Sequence, residues 1–226
     1  MPMSYGDLPG LMTMMTGDEK HSASATSTLD VLWVLYDRVM RVYPDEPAHP
    51  DRDRFLLSKG HGPMAYYAVL AAKGFVPVEA LAGFGTYNSV LGQHPDRTLI
   101  GGVEISSGSL GHGLPLAVGV CLGLDAKKAS GPRVFCLVGD AELEEGSNHE
   151  AIALAGQLGL GRLTVIVIDN QSSSRGWPGG IHRRFRVEGW SATEVDGRDH
   201  TAIEQALAIE HPGVPHAVVA AVDEKE

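Results

Sequence analysis

The sequence predicts an α/β protein in which a parallel β-sheet is flanked by helices on both faces. Three observations carry that expectation. Two short, unbroken apolar runs, VFCLVG (134–139) and TVIVID (164–169), have the composition of strands buried on both sides. Between them lies a segment of helical character closed by Gly159 and Gly161. A further apolar run, HAVVAAV (216–222), follows another helical segment, and alternating strand and helix is the pattern of a parallel sheet.

The elements follow in order. Residues 1–25 are rich in Met, Gly, Ser and Thr and are expected to form a flexible N-terminal segment, with residues 26–226 making a single domain. TLDVLWVLYDRVMRV (28–42) places Leu29, Leu32, Trp33, Tyr36, Val39 and Met40 at helical spacing, and Pro44 and Pro47 end it. FLLS, within 51–62, reads as a short extended segment running into a glycine turn. PMAYYAVLAAKG (63–74) is a helix with Pro63 at its start and Gly74 at its stop. A short helix is expected over 78–84, then a loop holding Gln93, His94 and Pro95. The Gly- and Ser-rich loop 101–115 feeds a helix of small residues over 115–129. Glu145 to Leu158 is helical. WSATEVDG (190–197) reads as a strand and Thr201 to Ile209 as a helix.

Bulk properties exclude several classes. At 226 residues the chain fits one substantial domain, and its 43% apolar content is well above the disordered range. A formal charge of −10 with no Lys/Arg-rich run argues against nucleic acid. The only cysteines, Cys121 and Cys136, lie inside apolar runs and read as buried hydrophobes in a reducing compartment. The longest apolar stretch, LPLAVGVCLGL (114–124), is too short to span a membrane, and the N-terminus makes a poor signal peptide. A soluble, cytoplasmic protein is expected.

Chemistry is expected where the strands end, because ligands of open parallel sheets bind beyond the carboxyl ends of the strands. Asp140 closes one apolar run and Asn170 closes the next, one β-α-β crossover later. A carboxylate and an amide oxygen at one place suit Mg²⁺ or Ca²⁺, which completes its shell with water and with phosphate oxygens of a ligand. Seen alone, Gly-Asp after a strand is an ordinary turn, and Glu142, Glu144 and Glu145 simply favour a helix N-terminus. The conjunction is what informs. A nicotinamide fingerprint is not met, since Gly108, Gly111 and Gly113 carry its spacing reversed.

GDAELEEGSNHEAIALAG…LTVIVIDN resembles the thiamine diphosphate motif, and its fuller pattern resembles the transketolase family through Gly139, Asp140, Glu142, Glu145, Gly146, Glu150 and Ala151. EISSGSLGHGLPLAVGVCLGL (104–124), LSKGHG (57–62) and GQHPDR (92–97) are similar to three other segments of that family, in the same order. The matches run over roughly residues 20 to 220.

The resemblance implies the thiamine diphosphate-binding fold and, within it, the diphosphate-binding domain. It implies Asp140, Asn170 and the Ser172 backbone carbonyl as metal ligands. The backbone around Gly139, Asp140, Ala141 and Glu142, with His61, would hold the diphosphate, and Gly108 and Leu110 would contact the aminopyrimidine. Glu145 would belong to a carboxylate network reaching the partner domain. His21, His61, His94 and His112 would face the substrate, where neutral imidazoles are useful for proton movements.

The family's cofactor lies between two domains, and this sequence resembles only the first before it reads VDEKE and ends. The expectation is the N-terminal subunit of a split transketolase, moving a ketol unit between sugars or sugar phosphates. It would be active only with a C-terminal, pyrimidine-binding chain, in an α2β2 assembly. Three departures stand out: Ala141 for the motif's second glycine, no Asp-Gly shortly after Asn170, and no counterpart of the family's late His-Thr-x-Lys-Gly-x-Gly stretch. Two alternatives remain: one chain of a decarboxylating ligase that takes a 2-oxo acid, and a non-catalytic scaffold subunit.

Overall fold

Five strands form one parallel sheet in the order β1-β2-β3-β5-β4: β1 (Arg54–Leu57), β2 (Val134–Gly139), β3 (Leu163–Asp169), β4 (Ser191–Asp196) and β5 (His216–Ala221). The computed structural model describes residues 3–18 and 22–222. Its helices are α1 (Leu8–Thr13), α2 (Ser22–Val34), α3 (Met64–Ala72), α4 (Gly113–Ala126), α5 (Gly146–Leu158), α6 (Ile181–Val187) and α7 (His200–Ala208).

Alternation along the strands builds two cores. Phe55, Phe135, Leu137, Ile166, Ile168 and Val218 face the layer of α1, α2, α3 and α7. Leu56, Cys136, Val138, Val165, Val167 and Val219 face α4, α5 and α6. All six residues of β2 are buried, as a strand covered on both faces requires. Each such large side chain, fully buried, contributes ~1.5–3 kcal/mol. Cys121 and Cys136 are buried, unpaired thiols, and burial pushes the Cys121 thiol up to about 12.

This layering positions the site. The chain leaving β1 turns to α3 on one face, and the chain leaving β2 turns to α5 on the other. Adjacent strands whose connections diverge in this way leave a crevice at their carboxyl ends.

Two segments differ from expectation. Residues 3–18, expected to be loosely held, bury Leu8, Leu11 and Met15 in the core beside α3, and Tyr5 Oη donates to Asp30 at 2.7 Å. Composition hid the helical period of Leu8, Leu11, Met12 and Met15. The first long helix starts earlier, at Ser22, and gives way to a π-helical turn over Leu35–Val39. The Ser- and Thr-rich start of α2 tolerates burial because Ser27 and Thr28 donate to the carbonyls of Ser24 and Ala25, at 2.9 and 2.8 Å. No helix among the described residues is long and apolar enough to cross a membrane.

Candidate functional site

Asp140 and Asn170 stand on adjoining strand tips. Gly139 is in register with Ile168, and the Asp140 N–H donates to the Ile168 carbonyl at 3.0 Å. Each residue is the first beyond its strand, and both are buried. The Asp140 carboxylate already orders the turn beyond Asn170: Oδ1 accepts from Ser172 Oγ at 2.6 Å and Oδ2 from the Ser173 N–H at 2.9 Å. Gln171 turns the chain there with a φ of 55°, a left-handed conformation uncommon outside glycine. Asp169, half-buried beside them, has its carboxyl raised, first by burial.

Ala141, the departure from the motif, has φ −67° and ψ −34°. Any L-residue adopts that conformation without strain, so the chain does not need glycine here.

Glu142 begins a 3-10 turn (Glu142–Glu144) and points inward. Its Oε1 accepts from the Ser58 hydroxyl just beyond β1 and from the Gly111 N–H at 2.9 Å, and its Oε2 accepts from the Gly139 N–H at 3.2 Å. Ser58 Oγ in turn accepts from the Gly113 N–H at 2.9 Å. Burial pushes the Glu142 carboxyl above its ordinary range, while these hydrogen bonds and the nearby Lys59 ammonium pull the other way. Lys59 itself donates to Ser24 O and Ser27 Oγ on α2, at 2.8 and 2.9 Å.

Glu144 faces the opposite side. It accepts from Ser173 Oγ at 2.6 Å, Ser174 Oγ at 2.9 Å and the Arg175 N–H at 2.8 Å, which hold its carboxyl down to about 2. Glu145 is exposed at the entry to α5, its Cβ within 2.7 Å of where a side chain on Gly111 would begin.

Two of the expected histidines converge. The rings of His61 and His94 are 6.3 Å apart, both exposed above the strand ends. Gly108, with φ 120°, packs under His94, and Gly60 lies so near that its Cβ would be 3.0 Å from Gly108 Cα. Leu110 leaves a large apolar side chain 38% exposed on the same loop. His112 is exposed at the start of α4, and His21 lies outside the described residues.

The arrangement therefore joins four segments: the ends of β1 and β2, the loop after β3, and the glycine loop 108–113. Sequence reasoning missed the ties among them, since Ser58 and Glu142 are 84 positions apart and no periodicity links them. Among the described residues, no group of three or more His, Cys, Asp or Glu is arranged to hold a metal. Asp140, Asn170 and a backbone carbonyl are instead a hard-oxygen set. A cavity of about 670 Å³ lies at the opposite end of the sheet beside Arg133, Arg162 and His211. Its guanidinium groups are committed to Asp53 and Asp125, so the open crevice and not that cavity gathers the chemistry.

Comparison with known proteins bears on the family and the fold. A family model described as transketolase, thiamine diphosphate binding domain, matches residues 13–212. The chain is 36% identical over 208 residues to one named subunit of the apulose-4-phosphate transketolase of Actinobacillus succinogenes, which is 88% of this chain and 75% of that protein. It superposes on the transketolase from Leishmania mexicana with a TM-score of 0.76 at 28% identity, over 92% of this chain but 37% of that one. It is also 60% identical over 219 residues to a Rhodococcoides fascians protein named ferredoxin fas2, covering 97% of this chain and 72% of that protein. Iron–sulfur clusters are held mainly by four thiolates, and the two buried cysteines of this chain do not supply such a set.

Proposed function

Because this chain belongs to the transketolase family through its thiamine diphosphate-binding domain, we propose that it is the cofactor-holding subunit of a two-chain enzyme. The reaction is transfer of a two-carbon ketol unit from a ketose to an aldehyde. The observation that carries this reading is the side-by-side placement of Asp140 and Asn170 on adjoining β tips, inside the region the family model matches.

The donor set fits a divalent cation and a diphosphate. Each Asp140 oxygen accepts one hydrogen bond, which leaves a lone pair on each for a metal. Asn170, buried on the adjoining strand tip, adds a carboxamide oxygen of the kind such a cation accepts. We assign Mg²⁺ or Ca²⁺ to Asp140, Asn170 and the Ser172 carbonyl, and the diphosphate to the backbone of Gly139, Asp140, Ala141 and Glu142 with His61. Gly108 and Leu110 flank the aminopyrimidine. When bound, thiamine diphosphate supplies the electron sink that carbon–carbon cleavage requires. His61, His94 and His21 hold and move protons at the substrate hydroxyls and carbonyl, and Glu145 reaches toward the partner.

The chain spans about three quarters of the Actinobacillus protein and little more than a third of the Leishmania chain. The Actinobacillus relative is named as one subunit of its enzyme, which supports a second polypeptide; we assign to it the pyrimidine-binding domain, in an α2β2 complex. The relative's name also supports a sugar or sugar phosphate substrate. Buried, unpaired cysteines fit the cytoplasm. Ala141, at an unstrained φ, gives the non-catalytic reading no support.

The test is ketol transfer by the chain mixed with its pyrimidine-domain partner. Turnover with hydroxypyruvate and none with pyruvate is expected. Pyruvate as the better donor would favour the ligase, and no turnover with either would leave a scaffold.

A further inference from the structure

We infer that Glu142 is a positioning residue whose side chain locks three walls of the cofactor crevice to one another. The inference rests on the proposed cofactor site, but the geometry that suggests it stands apart from any ligand.

The carboxylate of Glu142 is almost fully buried, 2% exposed, in a place where an unpaired charge is strongly disfavoured. It is satisfied by donors from three separate segments. Ser58 comes from the end of β1, Gly111 from the glycine loop, and Gly139 from the end of β2. The Gly113 N–H adds a second point of the loop through Ser58 Oγ. From the other side, Asn148 on α5 donates to the Glu142 carbonyl at 2.7 Å, which fixes the turn that carries it. Among the described residues, Glu142 is the side chain of the crevice whose bonds reach all three segments.

These ties act on glycine backbone alongside the bond that the Ser147 hydroxyl donates to the Gly111 carbonyl at 2.7 Å. Gly111 has φ 83°, and a Cβ there would stand 2.6 Å from Ser147 Oγ. A Cβ on Gly113 would stand 2.2 Å from that of Ser58. The loop is thus pressed onto the ends of β1 and α5 without side chains of its own at these points, and directed hydrogen bonds give it orientation. An ionised carboxylate accepts from N–H and O–H donors on both oxygens; a glutamine presents an NH₂ group to one of them, opposing a donor with a donor. Glu142 therefore sets the spacing between His61, which follows Ser58, and Gly108 and Leu110, which precede Gly111.

The experiment is amide hydrogen exchange on the full-length chain without ligand, wild type against Glu142→Gln. Calorimetry follows with thiamine diphosphate and MgCl₂ on the same proteins assembled with the partner chain. The expected result is at least tenfold faster exchange at Gly111 and Gly139, unchanged protection of Val165 and Val167 in β3, and at least tenfold weaker cofactor binding. Ser58→Ala provides a second route should Glu142→Gln not fold, with faster exchange expected at Gly113. Unchanged exchange at these glycines, or faster exchange throughout the sheet, would overturn the inference, as would cofactor affinity within twofold of wild type. Wild-type protein that binds no cofactor would instead count against the functional reading, and the exchange data would then judge the tie by themselves.

Discussion

The ring of His94 lies over Gly108, so close that a Cβ at position 108 would stand 2.8 Å from the imidazole Cδ2. Gly108 also has φ 120°, a conformation that side chains rarely adopt. The two residues belong to different loops, and the absence of a side chain on one sets the height of the other above the strand ends. Gly108→Ala is expected to cost about 1–3 kcal/mol in backbone strain and to push His94 aside. His94→Ala removes the imidazole with no strain. Both variants are expected to lower kcat by tenfold or more, with a much smaller change in thiamine diphosphate affinity. Equal losses of turnover and cofactor affinity in His94→Ala would contradict a substrate-facing imidazole.

Glu144 holds the loop beyond Asn170 through Ser173, Ser174 and the Arg175 amide. Its carboxyl, held down to about 2 chiefly by the Ser173 hydroxyl and the Arg175 amide, stays ionised at neutral pH. The tie is therefore present above the ordinary glutamate range and is lost only as pH falls through about 2. Glu144→Ala is expected to free the Arg175 amide to exchange and to weaken Mg²⁺-dependent cofactor binding several-fold, because Ser172 and Ser173 would no longer be pinned on both sides. Unaltered exchange at Arg175 would count against the clamp.

At the far end of the sheet, His216 and His211 stack 3.9 Å apart and share the Ser191 hydroxyl, with both Nε2 atoms buried and unpartnered. Burial, then the neighbouring His211, pushes the His216 imidazole down to about 4. The unfolded chain, with an ordinary histidine near pH 6.5, binds the proton first, so acid favours unfolding. A tenfold difference in proton affinity between the two states is worth about 1.4 kcal/mol. Stability is therefore expected to be fully present above pH 6.5 and to fall by roughly 2–3 kcal/mol as pH drops toward 4. Urea unfolding at pH 8, 6 and 5 checks this. His216→Gln should flatten the wild-type slope, and parallel slopes would show that other groups set it.

The strands and the two residues that close them were legible because burial on both faces leaves an unbroken apolar run, and a polar residue that ends such a run marks a strand tip. Gly159, with φ 61°, ends α5 where the glycine predicted a stop. The insertion of β5 between β3 and β4 was not legible, because pairing order depends on contacts between segments far apart in sequence. The same reason hid the partners of Glu142. Its neighbours in sequence make it look like a helix-favouring glutamate, and only the fold brings Ser58 and Gly111 to it. The N-terminal segment was misjudged because its Gly, Ser and Thr content outweighed a short apolar period that packs beside α3.

The central claim is that Asp140 and Asn170 together hold the cation that binds thiamine diphosphate. Calorimetric titration of the cofactor into the assembled enzyme, with MgCl₂ and then with EDTA, tests it most directly. Binding is expected with magnesium and is expected to vanish with EDTA. It should also vanish in Asp140→Ala and Asn170→Ala, each with a circular dichroism spectrum like that of wild type. Cofactor binding that survives in either folded variant, or that ignores EDTA, would contradict the account.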